Sequence, residues 1–209
     1  MAIRIEASFD DGSAEDWRIA ELMDRYKIET VFYIPVNWRK YNASRGVNSL
    51  SEDQVYKLND LFEIGAHGID HLLLTRATPE DITAEIHTPI DWWGSKNITV
   101  KKFCYPRGYY NEDIKKQVRH AGYESARTTR VAEFFNSDPY ETHTTVHVGI
   151  DRKEYGTDWL TFAEQKLDEA LARVDENPHY HFWGHGVEIA KNEQWDRFEK
   201  LLKYLDERT

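Results

Sequence analysis

A single cysteine, Cys104, leaves no intrachain disulfide available, so the stapled scaffold of small secreted domains is excluded. No run of 18 apolar residues occurs, and the first residues lack a basic stretch followed by a long apolar one. Basic charge is also short: 27 Lys and Arg face 37 Asp and Glu, for a formal net charge of -10 and a pI near 5.4. Nucleic acid and anionic bilayers both require a basic face, so neither is expected as a partner, whereas a neutral or cationic substrate is compatible. No repeat, low-complexity tract or linker divides the chain. As given, the sequence reads as cytoplasmic, with secretion of a trimmed mature domain as the alternative. Its 209 residues suit one domain, and 40% hydrophobic with 13% aromatic content supports a sizeable core.

Short apolar or β-branched runs alternate with helical patterns along the whole length. Strands are expected at residues 3–9, 30–36, 63–68, 100–106, 124–130, 145–150 and 179–186. Helices are expected at 13–26 with Ser13 as N-cap, 51–62 with Ser51 as N-cap and 78–86 with Thr78 as N-cap and Pro79 at the first helical position. Pro89 should then kink or break that helix. Further helices are expected at 111–122, 158–176 and 193–207. The polar stretch 37–50 reads as the longest loop. Some seven strands interleaved with six helices favour a parallel sheet with helical crossovers, in which chemistry gathers at the carboxyl ends of the strands.

Four constellations fall at such ends. "SFDDG" places Asp10 and Asp11 side by side after the first strand, a pairing that is either a turn or a site. "HGIDH" separates His67 and His71 by three residues, which on a helical turn would put both imidazoles on one face, a common way to chelate a metal. A catalytic zinc needs three protein ligands and an open position; His67, His71 and one aspartate make that set. The other aspartate would accept a proton, and spacing leaves open which is which. "CYPRG" implies a tight loop around Pro106 and Gly108 that could aim a backbone N–H at a reacting oxygen. In "HYHFWGHG", strict alternation puts His179, His181, Trp183 and His185 on one face. His185, at the strand end, is best placed as a general acid, and the other two histidines suit core or rim.

Taken in this order, the motifs resemble the polysaccharide deacetylases of carbohydrate esterase family 4, which have the nodulation-type chitooligosaccharide deacetylase domain. The resemblance runs from about residue 3 to about residue 205. It implies one catalytic domain over 1–209, folded as a distorted (β/α) barrel of seven or eight units with parallel strands and outer helices. It implies a hydrolase that cleaves a non-peptide C–N amide bond, releasing acetate from an N-acetylated, or O-acetylated, amino-sugar polymer or oligosaccharide. Asp10 matches the catalytic base; Asp11, His67 and His71 match the ligands of one divalent metal, zinc first, with cobalt or nickel as alternatives. Arg107 matches the residue whose backbone N–H serves the oxyanion, and His185 matches the general acid. Gly68 replaces the usual hydroxyl residue. Cys104 stands where the family often has the arginine that orients the base, and Arg127, in the next expected strand, is the candidate replacement. The motif built from an Asp near a Trp falls at Asp151 or at Asp158–Trp159. Trp38, Tyr109 and Tyr110 are candidates for stacking on sugar rings. The rival expectations are a same-fold amidohydrolase acting on a small N-acetyl sugar or ring amide, and a carbohydrate-binding protein whose site has decayed.

Overall fold

The computed structural model describes residues 3–209. Seven parallel strands form one curled sheet in the order β5-β4-β3-β2-β1-β7-β6. They are β1 (Arg4–Asp10), β2 (Glu29–Ile34), β3 (Glu63–Ala66), β4 (Lys102–Cys104), β5 (Ser125–Arg127), β6 (Val146–His147) and β7 (His179–Gly184). Eight α-helices accompany them: α1 (Asp16–Arg25), α2 (Trp38–Ser44), α3 (Glu52–Leu61), α4 (Pro79–Gly94), α5 (Glu112–His120), α6 (Trp159–Ala172), α7 (Gly186–Lys191) and α8 (Trp195–Asp206). This is the parallel sheet with helical crossovers that the alternation favours, curled into the distorted barrel that the family resemblance implies. The irregularity lies between β5 and β6, where no α-helix intervenes and an extended bridge from Arg127 to Thr142 prolongs the sheet edge.

The period-2 rule decides which side chains reach the interior. Along β1, Glu6, Ser8 and Asp10 share one face, while Ala7 and Phe9 face the helical layer and are fully buried. Phe9 meets Phe32, Phe182 and Phe198, the last carried by α8. Phe198, Leu201, Leu202 and Leu205 form the buried stripe of α8 at helical spacing. Each such side chain contributes about 1.5–3 kcal/mol on leaving water. The core therefore lies between sheet and helices, and the polar face of β1 and β7 is left to line the barrel axis.

Four local features differ from the sequence pattern. Helix α1 starts at Asp16 because the chain at Ser13 still pairs in an extended bridge with Ser49; the Ser13 hydroxyl donates to the Asp16 side chain (2.9 Å) instead of capping a helix from residue 13. The 37–50 stretch contains helix α2, anchored by buried Trp38 and Asn42. Pro89 does not end its helix: α4 continues through it to Gly94, with Pro89 itself buried. After β7, Gly186 opens the short helix α7 immediately. The expected cap at Ser51 is present as a capping box with Gln54, and Thr78 caps α4 through the Asp81 N–H.

Candidate active site

Asp10 is the last residue of β1 and Asp11 the first beyond it. Asp11 turns the chain with φ 81°, a left-handed conformation that a side-chain-bearing residue adopts at a cost. Its N–H donates to Tyr33 O on β2 (3.0 Å), and Asn42 of α2 donates to its carbonyl (2.8 Å). The two neighbouring carboxylates therefore point apart, each to its own set of partners.

The Asp10 carboxylate is buried, and its Oδ2 accepts a hydrogen bond from Arg127 Nη2. The Arg127 guanidinium is itself buried between the rings of Trp183 (4.6 Å) and Tyr33 (5.2 Å) and also contacts Cys104 Sγ (2.9 Å). Burial pushes the Asp10 pKa up, but the charge of Arg127, helped by His67 and His185, outweighs it and holds the group below the ordinary carboxylate value. Asp10 Oδ1 has no hydrogen-bond partner in the protein.

Asp11 Oδ2 accepts from Arg45 Nη1 (2.8 Å), which leaves Oδ1, buried and without a donor. Two imidazole nitrogens face that oxygen, His71 Nε2 at 3.6 Å and His67 Nε2 at 3.7 Å. His67 Nδ1 donates to the Cys104 carbonyl (2.8 Å), so the proton sits on Nδ1 and the Nε2 lone pair points inward. Burial, the largest influence, lowers the pKa of both imidazoles, His71 to about 3, so both are neutral, as metal ligands must be. Asp11 Oδ1 and the two Nε2 atoms that face it at these distances come near the roughly 3.3 Å edge of a tetrahedron with ligands about 2.0 Å from zinc. The residues present fit a divalent metal.

His67 and His71 meet, but not on a helical turn. They lie on a loop after β3 in which Gly68 (φ 77°) and His71 (φ 57°) are both left-handed, and the rings sit 4.6 Å apart. The loop is held by Glu85 of α4, whose carboxylate accepts from the N–H groups of Asp70 (2.9 Å), Ile69 (3.1 Å) and Leu72 (3.3 Å). A side chain at Gly68 would run into that carboxylate, which accounts for the missing hydroxyl residue there. Glu85 could have been found in the sequence as the one acid on the apolar stripe that α4 makes with Ile82, Ile86, Pro89 and Trp93.

His185 follows β7 with its Nε2 3.8 Å from Asp11 Oδ2, and its Nδ1 donates to Glu188 Oε2 (2.7 Å). The same oxygen lies 3.0 Å from Nε2 of His147, whose ring stacks on Trp183. Burial opposes the charge on His185, but the hydrogen bond to Glu188 and the field of Asp11 prevail and raise it to about 9. Asp151 and Asp158 stand elsewhere: at the start of α6, Asp151 accepts from the Trp159 N–H and Asp158 from those of Leu160 and Thr161. Glu188 and His147, not the Asp–Trp region, are what the structure sets against His185.

Asp10, Asp11, His67, His71, His185 and Arg107 line one cleft of about 490 Å3, with Tyr41, Arg45 and Glu188. Arg107 sits in a single turn at Pro106–Gly108 with φ 60°. Of the aromatic candidates, Trp38 is not available to a ligand: it is 2% exposed, donates to Leu50 O (2.9 Å) and stacks on Trp93. Tyr109 is exposed and, with Tyr110, lines an adjoining cleft, where Tyr110 stacks on Tyr105. No helix among the described residues is long and apolar enough to cross a membrane.

The fold recurs in solved structures of low sequence identity. A polysaccharide deacetylase described as putative, from Mycobacterium smegmatis, superposes with a TM-score of 0.69 at 11% identity, over 99% of this chain and 84% of that one. The deacetylase PplD of Streptococcus pyogenes, in complex with acetate, gives 0.58 at 17% identity over 66% of this chain, which spans 62% of that protein. BA3943 of Bacillus anthracis, a pseudoenzyme of carbohydrate esterase family 4, gives 0.61 at 14% identity over 97% of this chain, which spans 61% of it. No curated protein sequence matches this one significantly. The sequence model for polysaccharide deacetylases matches residues 3–126, more than half of the chain and the part that carries Asp10, Asp11, His67 and His71. The chain belongs to the polysaccharide deacetylase family.

Proposed function

We propose that the whole chain is one catalytic domain that hydrolyses the N-acetyl group of an amino sugar within a glycan, in a metal-dependent reaction. The observation that carries this reading is the orphaned Asp11 Oδ1 facing Nε2 of both His67 and His71, in the same cleft as Asp10 and His185. Asp11, His67 and His71 hold the ion, zinc before cobalt or nickel. When bound it supplies Lewis acidity toward the acetyl carbonyl and a water acidic enough to attack at neutral pH.

The remaining steps belong to the chain. Asp10 is ionised, and its free Oδ1 is the acceptor for the proton of the attacking water. Arg127 is a positioning residue: it fixes Oδ2 and so aims Oδ1. The Arg107 N–H donates to the oxyanion, held out of ordinary backbone geometry by its left-handed turn. His185 has Nδ1 committed to Glu188, which leaves an Nε2 proton facing the cleft for the departing amine. The products are acetate and a free amino sugar.

Cys104, in the place of the usual arginine, favours the rival reading of a carbohydrate-binding protein with a decayed site. Against it, the Arg127 guanidinium on Asp10 supplies from β5 what Cys104 does not supply from β4. Acetate release from N-acetylated chitooligosaccharides separates the two. A strong chelator should abolish it, and zinc or cobalt should restore it. Release that survives chelation sinks the metal-dependent reading; glycan binding with no release by metal-loaded protein establishes the decayed site.

A further inference from the structure

This inference rests on the metal-dependent reading above and concerns how many positions around the ion the chain leaves open. Helix α2 touches both loops that carry the proposed ligands. Where the chain enters it, the Val36 N–H donates to Gly68 O (3.0 Å) and the Asn37 N–H to Ile69 O (2.9 Å), both on the loop between His67 and His71. Within it, Tyr41 packs its ring on that of His71 (4.6 Å), and buried Asn42 donates to the carbonyls of Asp11 (2.8 Å) and Gly12 (3.3 Å). At its end, Arg45 Nη1 donates to Asp11 Oδ2 (2.8 Å), and the guanidinium lies 4.9 Å over the Tyr41 ring.

Arg45 takes the oxygen that the imidazoles do not. His67 and His71 face Oδ1, and Arg45 is on Oδ2, so this cation does not stand in the place of the ion but on the far side of the same carboxylate. A carboxylate can give a metal one oxygen or two, and a second oxygen from Asp11 would fill a position that a catalytic ion must keep for water. A guanidinium on Oδ2 prevents this. Its charge also lowers the basicity of the carboxylate and opposes a nearby dication. Arg45 is not needed to hold Asp11 in place. The Asp11 backbone is tied by its own N–H to Tyr33 O and by Asn42, and its side chain is buried. Arg45 itself is partly exposed, so shortening it empties no core site.

We propose that Arg45 is a positioning residue that restricts Asp11 to one metal-facing oxygen, which keeps a coordination position open and weakens the hold on the metal. Arg45→Met keeps the apolar stem but removes the charge and the donors; Arg45→Lys keeps the charge. In competition with a chromophoric chelator, Arg45→Met should bind zinc on the order of tenfold more tightly than wild type, an outer-shell effect of ordinary size with its usual sign reversed, and Arg45→Lys should stay near wild type. The rise in Tm on adding zinc should be larger in Arg45→Met for the same reason. In the cobalt-loaded proteins, the visible absorption of Arg45→Met should be weaker, as expected when a tetrahedral ion gains a ligand. With N-acetylated chitooligosaccharides, kcat of Arg45→Met should fall by about tenfold with KM little changed. A merely structural role for Arg45 would loosen the site instead. Zinc binding by Arg45→Met that is weaker or unchanged, or a cobalt spectrum that does not change, therefore overturns the proposal, while zinc bound by wild type leaves the metal-dependent reading standing. Failure of wild type to bind zinc overturns both.

Discussion

At the amino end of the barrel Glu6 lies among His179 and His181, in a cleft of about 870 Å3; at the carboxyl end Asp11 lies among His67 and His71, in one of about 490 Å3. Both groups place an acid and two imidazoles within reach of a shared ion, one acid within β1 and the other directly after it. Their surroundings differ. Glu6 Oε1 has Lys102 Nζ at 3.2 Å, Oε2 has Arg4 Nη2 at 3.1 Å, and His181 Nε2 is bonded to Ser8 Oγ at 2.8 Å. A divalent cation there would have to displace two protein cations from a buried carboxylate. Asp11 Oδ1 has no donor to displace, and the tautomer of His67 is fixed from behind by a carbonyl. Proximity of acid and histidine is therefore common to both ends. What separates a candidate metal centre from a structural ion cluster is lone pairs left uncommitted.

The largest expected effect lies at the carboxyl end. Asp10→Asn keeps the shape and the hydrogen bond from Arg127 but removes the proton acceptor. Turnover should fall by about 10²–10⁴, the usual worth of a general base, while zinc still binds with a stoichiometry of one. Kinetics on zinc-loaded variant protein check this, and full activity would remove Asp10 from the role of base.

Next in size is the pair on the neighbouring strands. Cys104 and Arg127 are register partners across β4 and β5, so the guanidinium that orients Asp10 comes from one strand further out than Cys104, a step of about 4.8 Å. Arg127→Ala leaves a buried carboxylate unpaired and should cost about 3–5 kcal/mol of stability. It should also raise the Asp10 pKa, so that the acidic limb of the kcat/KM profile moves to higher pH. Returning the arginine to β4, as Cys104→Arg with Arg127→Cys, should recover part of both losses, read by denaturant melts and the pH profile. A double variant no better than Arg127→Ala would show that the position, and not only the charge, of Arg127 is required.

These residues also mark how far the sequence could be read. The alternation of strands and helices, the Asp10–Asp11 pair and the His67–His71 spacing are local patterns, legible because each depends on residues within a few positions. Arg127 was legible as a candidate only, since its contact with Asp10 spans 117 residues and depends on how the sheet curls. Arg45 and Glu188 were not legible as site residues. Each touches the site from a helix whose placement no short motif fixes: Arg45 just past the end of α2, hidden in a stretch that reads as loop, and Glu188 within α7, too short to show a period. Trp38 failed for the same reason, as a polar neighbourhood in sequence concealed its packing on Trp93.

The smallest effect belongs to the amino end, and it tests the comparison from that side. Glu6 is buried, which pushes its pKa up, yet the close contact with His179 Nε2 (3.0 Å) and the fields of His181 and Lys102 prevail and hold it well below the ordinary carboxylate value. A carboxyl depressed in the folded state contributes stability that is complete above its unfolded pKa of about 4.3, and that contribution is lost as the pH falls through the folded value. Glu6→Gln should therefore lower stability at pH 7 by about 1–2 kcal/mol, the cost of losing charge-assisted hydrogen bonds while Lys102 keeps Glu63 and Arg4 keeps Glu29. The difference from wild type should narrow as the pH drops below about 4. Melting at pH 7 and pH 3 reads this directly. Zinc stoichiometry and kcat/KM should not change, because the cations around Glu6 already supply there the positive charge that the proposed metal would supply around Asp11. Loss of a bound zinc in Glu6→Gln would mean that the amino-end cluster is a metal centre after all, and that committed lone pairs are no guide to telling the two ends apart.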